Sequence, residues 1–372
     1  MIGPQLPQPQ AIRAIRDAPS ASFELLCPAT VRVPPSPKFT FGTFEAPLAR
    51  WYYGASHLHA GGLFKLRDFC VSHPYLLSKD GVVYCCPEAN IHPGHTLAAL
   101  QGRDLPRTPI RLSGQFVMIT GPGYPIYGHW LSDFLPKLAV LNGLGYDLGS
   151  LKFLVPHDVP AFGLEWLDLL GFHRDNIVEF DLGDTSREVE ELLIPTTLHN
   201  GVRGSTLYRN AADLLLDRVR AQHPSVDDAG DEIPVFLSRA KSSQSRELLN
   251  RSAIEEEAAS RGIALCHPQE LSLLDQIRLF RKSRVIVGEY GSALHGSLFS
   301  RPGTVVCAIR GSRQHPAFIQ SGIGNILRQH TGYIFGANIP GDPAERFSVS
   351  LEDFRACLDS VVSGEGFDDR GT

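Results

Sequence analysis

The amino-acid sequence predicts an α/β fold made of two Rossmann-like lobes with a cleft between them. Short apolar runs of strand character alternate with longer helical patterns, and this alternation occurs once in each half of the chain. Alternating strands and helices are typical of parallel, doubly wound sheets. A polar stretch rich in Asp, Pro and Gly, HPSVDDAGDEIP, separates the two halves and has the composition of a linker.

The composition indicates a globular protein of two domains. The chain has 372 residues, of which 43% are hydrophobic and 20% charged. A net charge of −5 argues against a dedicated nucleic-acid-binding protein. The seven cysteines show no CxxC spacing, so we expect reduced core thiols rather than a disulfide framework or a zinc site. With no secretory h-region at the start and no long apolar run, a cytoplasmic location is expected.

In the first half of the chain the sequence signals for strands and helices are less distinct than in the second half. Residues 1–45 are proline-rich and are expected to be an extended lead-in, followed by an N-terminal lobe at 46–222. Its predicted strands are GVVYCC after the Asp80-Gly81 turn, FVMIT (116–120), LKFLVP (151–156) and VEELLIP (189–195). Its predicted helices are YGHWLSDFLPKLAVLNGLG, AFGLEWLDLLGF and a segment near 204–222.

The second half is marked more clearly. After a linker at 223–233, a C-terminal lobe at 234–372 contains four predicted strands, VFLSR (235–239), IALC (263–266), RVIVG (284–288) and TVVCAI (304–309). Helices are predicted between them. Ser252 and Glu255 have the spacing of a capping box, Gly262 is a helix stop, and Ser272 is a second N-cap.

Polar residues follow the strand at 235–239. Ser238 and Arg239 lie where a parallel strand ends, at the sheet edge where doubly wound folds bind ligands. Lys241 and Arg246 follow. Because guanidinium groups match phosphate oxygens in pairs, this segment could bind a diphosphate. The alternative is a solvated polar loop.

The segment RVIVGEYGSALHGSLF raises a similar possibility. Gly288 and Gly291 allow close approach of a ligand to the backbone or a positive φ. A helix beginning near Ser292 would direct free N–H groups at an anion. His295, one turn later, either faces the same ligand or caps the core. The pattern is neither GxGxxG nor a P-loop, and a tight strand-to-helix connection remains the alternative.

The segment YPIYGHWLSDFLPKL contains a candidate acid/base pair. His129 and Asp133 are four residues apart and share one face of a helix. A carboxylate can orient an imidazole ring, or each group can tune the pKa of the other. Pro136 should kink this helix, because its ring clashes with the carbonyl of Ser132. The alternative is an ion-paired helix face.

In this order, the three segments resemble glycosyltransferase family 61, whose bacterial members are often described as capsular-polysaccharide biosynthesis proteins. The resemblance spans roughly 120–310. The residues that carry it are His129, Trp130, Asp133, Leu135, Pro136, Lys137, Leu138, Ser238, Arg239, Arg246, Leu248, Asn250, Pro268, Glu270, Leu271, Ser272, Gln276, Ile277, Leu279, Phe280, the run from Ile286 through Phe299, Pro302, Gly303 and Thr304. Three positions depart from the pattern: many relatives have His at Tyr290, Asn at Gly296 and an acidic residue at Arg251.

The resemblance implies a GT-B fold and an inverting transfer from a nucleotide sugar, most often uridine-linked, without a metal or other cofactor. It places the donor in the C-terminal lobe, at Ser238, Arg239, Arg246, Glu270, Gly288, Tyr290, Gly291, Ser292 and His295. Glu270 would accept hydrogen bonds from the ribose or the base. Asp133 is favoured as the catalytic base, with His129 orienting it. The expected acceptor is a glycan or lipid-linked glycan of a surface or capsular polysaccharide, which leaves peripheral association with the cytoplasmic membrane open.

Two alternatives remain. A non-catalytic nucleotide- or sugar-binding protein on a transferase scaffold would explain the substituted family positions. A different α/β enzyme, such as a nicotinamide-dependent oxidoreductase or a hydrolase, is disfavoured because the sequence lacks both GxGxxG and a G-x-S-x-G nucleophile elbow.

Overall fold

The computed structural model describes residues 12–32, 37–54, 56–72, 75–100, 109–180, 186–227, 232–240, 246–312 and 318–363. The chain divides into two compact units. The first contains Met1–Thr30 and His59–Leu198, and the second contains Val31–Leu58 and His199–Thr372. The chain therefore passes from one unit to the other at three points, whereas the sequence predicted a single linker at 223–233. Part of that predicted linker lies outside the described residues.

Short strands and helices make up both units. The strands are β1 (Arg13–Ala14), β2 (Ala21–Cys27), β3 (Thr30–Arg32), β4 (Phe39–Gly42), β5 (Ser56–Leu58), β6 (Gly61–Ser72), β7 (Leu76–Lys79), β8 (Val82–Cys85), β9 (Ile110–Val117), β10 (Phe153–Pro156), β11 (Ile177–Phe180), β12 (Arg187–Pro195), β13 (Ile233–Leu237), β14 (Ala264–Cys266), β15 (Ser283–Glu289), β16 (Val305–Gly311), β17 (His330–Asn338) and β18 (Phe347–Ser348). The α-helices are α1 (Ala46–Tyr53), α2 (Pro93–Leu100), α3 (Tyr127–His129), α4 (Leu138–Gly143), α5 (Ala161–Leu169), α6 (Leu207–Gln222), α7 (Arg251–Ser260), α8 (Leu273–Lys282), α9 (Ile319–Leu327) and α10 (Leu351–Ser363).

The sheet of the first unit is mixed. Its strand order is β1-β8-β7-β6-β12-β9-β10-β11, and β2 also pairs with β6. The predicted parallel arrangement is confirmed for β9, β10 and β12, and β11, which the sequence did not predict, is parallel as well. Strand β6, also not predicted, pairs antiparallel with β7 and β12. The prediction is wrong for β8 on one side, because β8 pairs parallel with β1 but antiparallel with β7. The reason is a hairpin: Asp80 and Gly81 both have positive φ between the paired residues Lys79 and Val82, which matches the twist of a two-residue hairpin turn.

The sheet of the second unit is the doubly wound one. Its order is β14-β13-β15-β16-β17-β18, and β4 pairs with β17. Strands β13 to β16 are parallel, as the sequence predicted; β17, which the sequence analysis missed, is also parallel, and β18 is antiparallel. Numbered along the chain, the five parallel strands have the order 2-1-3-4-5, which is the order of flavodoxin-like folds. The direction of winding reverses between β13 and β15.

Both faces of this second sheet are buried. Alternating side chains of β15 and β16, such as Val285 and Val287, pack in one core with residues of α7 and α10. The side chains between them, such as Ile286 and Val306, are equally buried on the other face. Strands covered on both faces read as continuous apolar runs, and for this reason the sequence predicted them well.

Candidate functional site

The candidate site of the second unit lies at the reversal of strand winding. Leu237, the last residue of β13, pairs with Gly288 near the end of β15. The segments that follow the two strands therefore leave the sheet side by side at its carboxyl edge. Ligands of open α/β sheets bind outside the carboxyl ends of the strands at such a reversal. The predicted residues Arg239, Tyr290 and Gly291 lie on these two segments.

Arg239 is anchored to the segment after β15. Its backbone N–H donates to Glu289 Oε1 at 3.0 Å, and its Nη1 donates to the carbonyl oxygen of Tyr290 at 3.0 Å. A Cβ added to Gly291 would lie 3.3 Å from the guanidinium carbon and two of its nitrogens. Gly291 has an extended φ of 169°, so its role is to leave room for Arg239 and not to adopt a left-handed conformation.

Gly288 also serves close packing. It lies within β15, and a Cβ there would meet the Cβ of Leu237 at 2.9 Å and the carbonyl oxygen of Leu237 at 3.0 Å. The absence of a side chain at Gly288 thus allows β13 and β15 to pack closely.

Two further arginines belong to the same region, and we call Arg239, Arg246 and Arg310 the arginine cluster. Arg310 lies near the end of β16 and is fully buried between the rings of Tyr290, at 4.7 Å, and Phe318, at 4.3 Å. Burial lowers the pKa of Arg239, and the charge of Arg246 lowers it further. Burial also lowers the pKa of Arg310, with a smaller contribution from Arg246. Burial and the charge of Arg246 therefore disfavour the charged forms of Arg239 and Arg310, and a bound anion would relieve this cost.

Arg310 was missed by the sequence analysis. A signal for it existed, because Arg310 interrupts the apolar run VVCAI just where this strand reaches the carboxyl edge. Burial of a charged side chain at that place in a parallel strand costs free energy unless a partner or a ligand at the sheet edge compensates the charge.

Glu289 was also missed by the sequence analysis, and its carboxylate holds Arg251 and the backbone of Arg239 in place. Its carboxylate is 2% exposed and accepts two hydrogen bonds from Arg251, from Nε at 2.8 Å and from Nη2 at 3.0 Å. The hydrogen bond to Glu289 raises the pKa of Arg251. Arg251, one of the departures from the family pattern, thus ties α7 to the end of β15, and the same carboxylate holds the backbone of Arg239.

Ser238 has a structural role in this arrangement. Its hydroxyl donates to Glu255 Oε1 at 2.5 Å and accepts from the N–H of Ala240 at 3.0 Å. The capping box predicted for Ser252 and Glu255 is wrong, because α7 begins at Arg251 and the side chain of Glu255 binds Ser238 instead. The N-cap prediction for Ser272 is confirmed, since its Oγ accepts from the N–H of Asp275.

The remaining predicted donor residues are spread over nearby segments. Tyr290 is 6% exposed, and burial raises the pKa of its phenol. Ser292 begins a 3₁₀-helix at Ser292–Phe299 and not the predicted α-helix. His295 is half-buried in it and pairs through Nδ1 with the side-chain amide of Gln320 at 2.8 Å. Glu270 is exposed and ends a 3₁₀ turn that follows β14. Lys241 lies outside the described residues.

The predicted acid/base pair lies in the first unit and is formed. His129 Nδ1 contacts Asp133 Oδ2 in a short hydrogen bond. The imidazole retains 35% of its exposure, whereas the Asp133 side chain retains 4%. Burial lowers the pKa of His129, but the hydrogen bond to Asp133 and its charge outweigh burial, so the pKa lies above its usual value.

Lys137 extends this pair along the same helix. It is fully buried, its Nζ donates to the carbonyl oxygen of Ala89 at 3.3 Å, and burial lowers its pKa to about 8. The charge of Asp133 acts in the opposite direction and favours the ammonium form. The sequence analysis matched Lys137 to the family pattern without a role; its spacing of four residues from Asp133 could have indicated one.

The helix that carries this pair is irregular rather than sharply broken. Between α3 and α4 the chain forms a π-helix at Trp130–Phe134 and a 3₁₀ turn at Leu135–Lys137. The wider π turn accommodates Pro136, which cannot donate a backbone hydrogen bond. Single π turns within α-helices occur frequently at functional sites.

Comparison with known proteins agrees with this picture. Residues 127–307, just under half of the chain, match the model of the family Glycosyltransferase 61. This match supports the assignment to glycosyltransferase family 61. It includes the His129–Asp133 pair, Arg239 and Arg246, and it ends three residues before Arg310. The match suggests a glycosyltransferase activity, with a nucleotide-sugar donor and a glycan acceptor in general terms. No curated protein matches the chain.

Two further observations concern membranes and metals. Among the helices in the described ranges, none has the length and apolarity needed to cross a membrane. The described His, Cys, Asp and Glu residues form no group of three or more that could hold a metal ion.

Proposed function

We propose that the protein is an inverting glycosyltransferase that moves a sugar from a nucleoside-diphosphate sugar, with uridine as the favoured base, to a hydroxyl of a glycan. The observation that carries this proposal is the arginine cluster at the winding reversal of the second sheet. Guanidinium groups that are partly or fully buried at a ligand-binding edge, and whose charged forms burial and a neighbouring arginine disfavour, are suited to a diphosphate. Their charge would stabilise the diphosphate as it leaves, which is the role of a divalent cation in metal-dependent transferases.

For the base, the geometry favours His129 and reverses the order of roles expected from the sequence. Asp133 is almost inaccessible, whereas the imidazole is partly exposed and bound to it through Nδ1. In this proposal Asp133 holds the ring, and Nε2 takes the proton of the acceptor hydroxyl. The acceptor oxygen then bonds to the anomeric carbon as the bond to the diphosphate breaks, and the nucleoside diphosphate leaves with the electron pair.

The finer expectations remain part of the proposal. They are a GT-B-like architecture, donor contacts from Glu270, Ser292 and His295, and a metal-independent hexosyl or pentosyl transfer. The glycan or lipid-linked acceptor would belong to a surface or capsular polysaccharide, handled in the cytoplasm or at the inner face of its membrane. Family resemblance supports these points.

A thermal-shift panel of UDP, GDP, CMP and NAD tests the donor site. A ligand at about 100 times its Kd should stabilise the native state by roughly 2.7 kcal/mol. We expect UDP to raise the Tm of the wild-type protein and to raise that of Arg239→Ala by much less. Removing hydrogen bonds to a charged group costs about 1.5 to 3 kcal/mol, or roughly 10- to 100-fold in Kd.

Arg278→Ala is the matched control, because Arg278 is a surface arginine of α8 paired with Asp275. A shift with NAD but not UDP, or an equal UDP shift in Arg239→Ala, would contradict the proposal. Release of UDP from a UDP-sugar upon addition of glycan separates an enzyme from a binding protein. Stabilisation by UDP without any such turnover would favour the non-catalytic alternative.

A further inference from the structure

A cavity of about 370 Å³ lies at the carboxyl edge of the second unit's sheet, apart from the arginine cluster. Its volume falls within the range of small-molecule sites. It is formed where β4, β16 and β17 end, together with β18 and the first turn of α10. Its lining residues are Gly42, Thr43, Glu45, Ser312, Phe335, Gly336, Ala337, Asn338, Ser348, Ser350 and Asp353.

The polar lining consists of carboxylates, hydroxyls and one amide. Glu45 and Asp353 contribute the carboxylates, and none of the described lining residues is a Lys, Arg or His. Ser312 donates to Glu45 Oε1 at 2.9 Å, which holds that carboxylate at the wall. Two carboxylates disfavour a phosphate in this cavity and favour a ligand that brings several hydrogen-bond donors.

The cavity also has apolar lining residues, among them Phe335 and Ala337. Phe335 is buried, and its ring stacks on Phe44 at 4.4 Å and on Tyr333 at 5.7 Å between ring centroids, which fixes its position. A ligand that combines hydroxyl donors with an apolar face suits this mixed lining. Sugar rings have this combination, because their axial C–H groups form an apolar patch between the hydroxyls.

We propose that this cavity binds a sugar ring of the substrate, a statement that rests on the proposed function. Strand β16 connects the two sites, since Arg310 belongs to the arginine cluster and Ser312, two residues later, lines the cavity. In this proposal the cavity binds the neutral part of a substrate, and the arginine cluster binds its anionic part. The ring comes either from the donor or from the acceptor glycan, and the two sources are separable by experiment.

The test uses two variants of the full chain. Ala337→Trp fills the cavity from an exposed strand position, and Asp353→Asn removes one carboxylate without changing its shape. Glu352→Gln is the control, because Glu352 neighbours Asp353 on α10 but is exposed and does not line the cavity. Circular dichroism and Tm confirm that each variant is folded.

The probes are UDP, UDP-glucose, UDP-N-acetylglucosamine and neutral gluco- and galacto-oligosaccharides, followed by calorimetry and saturation-transfer NMR. We expect sugar binding to weaken at least tenfold in Ala337→Trp and severalfold in Asp353→Asn, with the Kd of UDP unchanged. Loss of the extra affinity of a UDP-sugar over UDP assigns the cavity to the donor sugar. Loss of oligosaccharide signals assigns it to the acceptor.

Two outcomes would overturn the inference: no sugar probe binds the wild-type protein, or folded Ala337→Trp binds every sugar probe as the wild type does. Failure of the proposed function looks different. In that case UDP does not bind, Arg239→Ala has no effect, and a free saccharide still occupies the cavity and is displaced by Ala337→Trp.

Discussion

Glu289 shows how single side chains build the candidate donor site. Its buried carboxylate holds Arg251 through two hydrogen bonds and the backbone of Arg239 through a third. The sequence indicated Arg239 and Arg246, because positive charge after a strand is a local signal. It did not indicate Glu289, because the partners are 38 and 50 residues away and meet only through the pairing of β13 with β15.

Gly291 provides a test at this scale. In Gly291→Ala the new Cβ would lie 3.3 Å from the Arg239 guanidinium, closer than most such contacts, and should displace it. Because φ is extended, alanine itself is tolerated there and the Tm should change little. We expect the Kd of UDP, measured by calorimetry, to rise about tenfold, or about 1.4 kcal/mol.

Gly94→Ala is the control for this change, because a Cβ at Gly94 meets no atom within 4 Å. An unchanged UDP affinity in Gly291→Ala would mean that Arg239 does not contact the ligand from its present position.

The His129–Asp133 pair should make the rate of sugar transfer depend on pH. Because Asp133 raises the pKa of His129 above its usual value, the imidazole is protonated and inactive as a base at low pH. The kcat of sugar transfer should therefore increase with pH through a pKa above about 6.5. In Asp133→Asn this limb should move to lower pH, and kcat should fall about 100-fold or more.

His129→Gln separates the two assignments of the base. We expect it to abolish turnover and to leave UDP binding intact. If His129→Gln keeps most of the rate while Asp133→Asn removes it, Asp133 is the base, as the sequence first suggested.

At the scale of elements, the sequence predicted best the central strands of the second unit. Strands β15 and β16 are buried on both faces, so their apolar runs were unambiguous, whereas the equally buried β17 was missed. The conformations of 130–137 and 292–299, π and 3₁₀ instead of α, leave no such pattern. The Asp80-Gly81 dipeptide was read as a turn, but its value as a hairpin signal, and thus the antiparallel pairing of β7 and β8, was not used.

Buried Lys137, in the irregular helix at 127–143, should make the stability of the protein depend on pH. Burial lowers the pKa of Lys137 to about 8, below the value of 10.5 expected when the chain is unfolded. Between these two values the unfolded state binds more protons than the native state. The free energy of unfolding contributed by this group therefore rises with pH from about 8 to 10.5 and is lowest below pH 8.

Lys137→Met should remove this dependence. Denaturation in urea at several pH values between 7 and 10.5 would measure it, with Lys152→Met, an exposed lysine, as the control. We expect the difference in unfolding free energy between Lys137→Met and the wild type to shrink as pH rises. A difference that is constant with pH would show that Lys137 is not a buried ammonium group.

At the scale of the whole molecule, the decisive feature is the strand order of the second sheet. The sequence predicted β13 to β16 and their parallel direction, but strand order depends on which apolar faces meet and has no local signature. The order places the segments after β13 and β15 side by side. Charged residues far apart in the sequence, Arg239 and Arg310 among them, thereby surround Tyr290.

The central claim, that this cluster binds a diphosphate, is tested most directly by phosphorus NMR of UDP titrated with the protein. We predict that both phosphorus resonances shift or broaden with the wild-type protein and with Arg278→Ala, and that neither does so with Arg239→Ala. Changes confined to the uracil and ribose protons, with both phosphorus resonances unaffected, would contradict the claim.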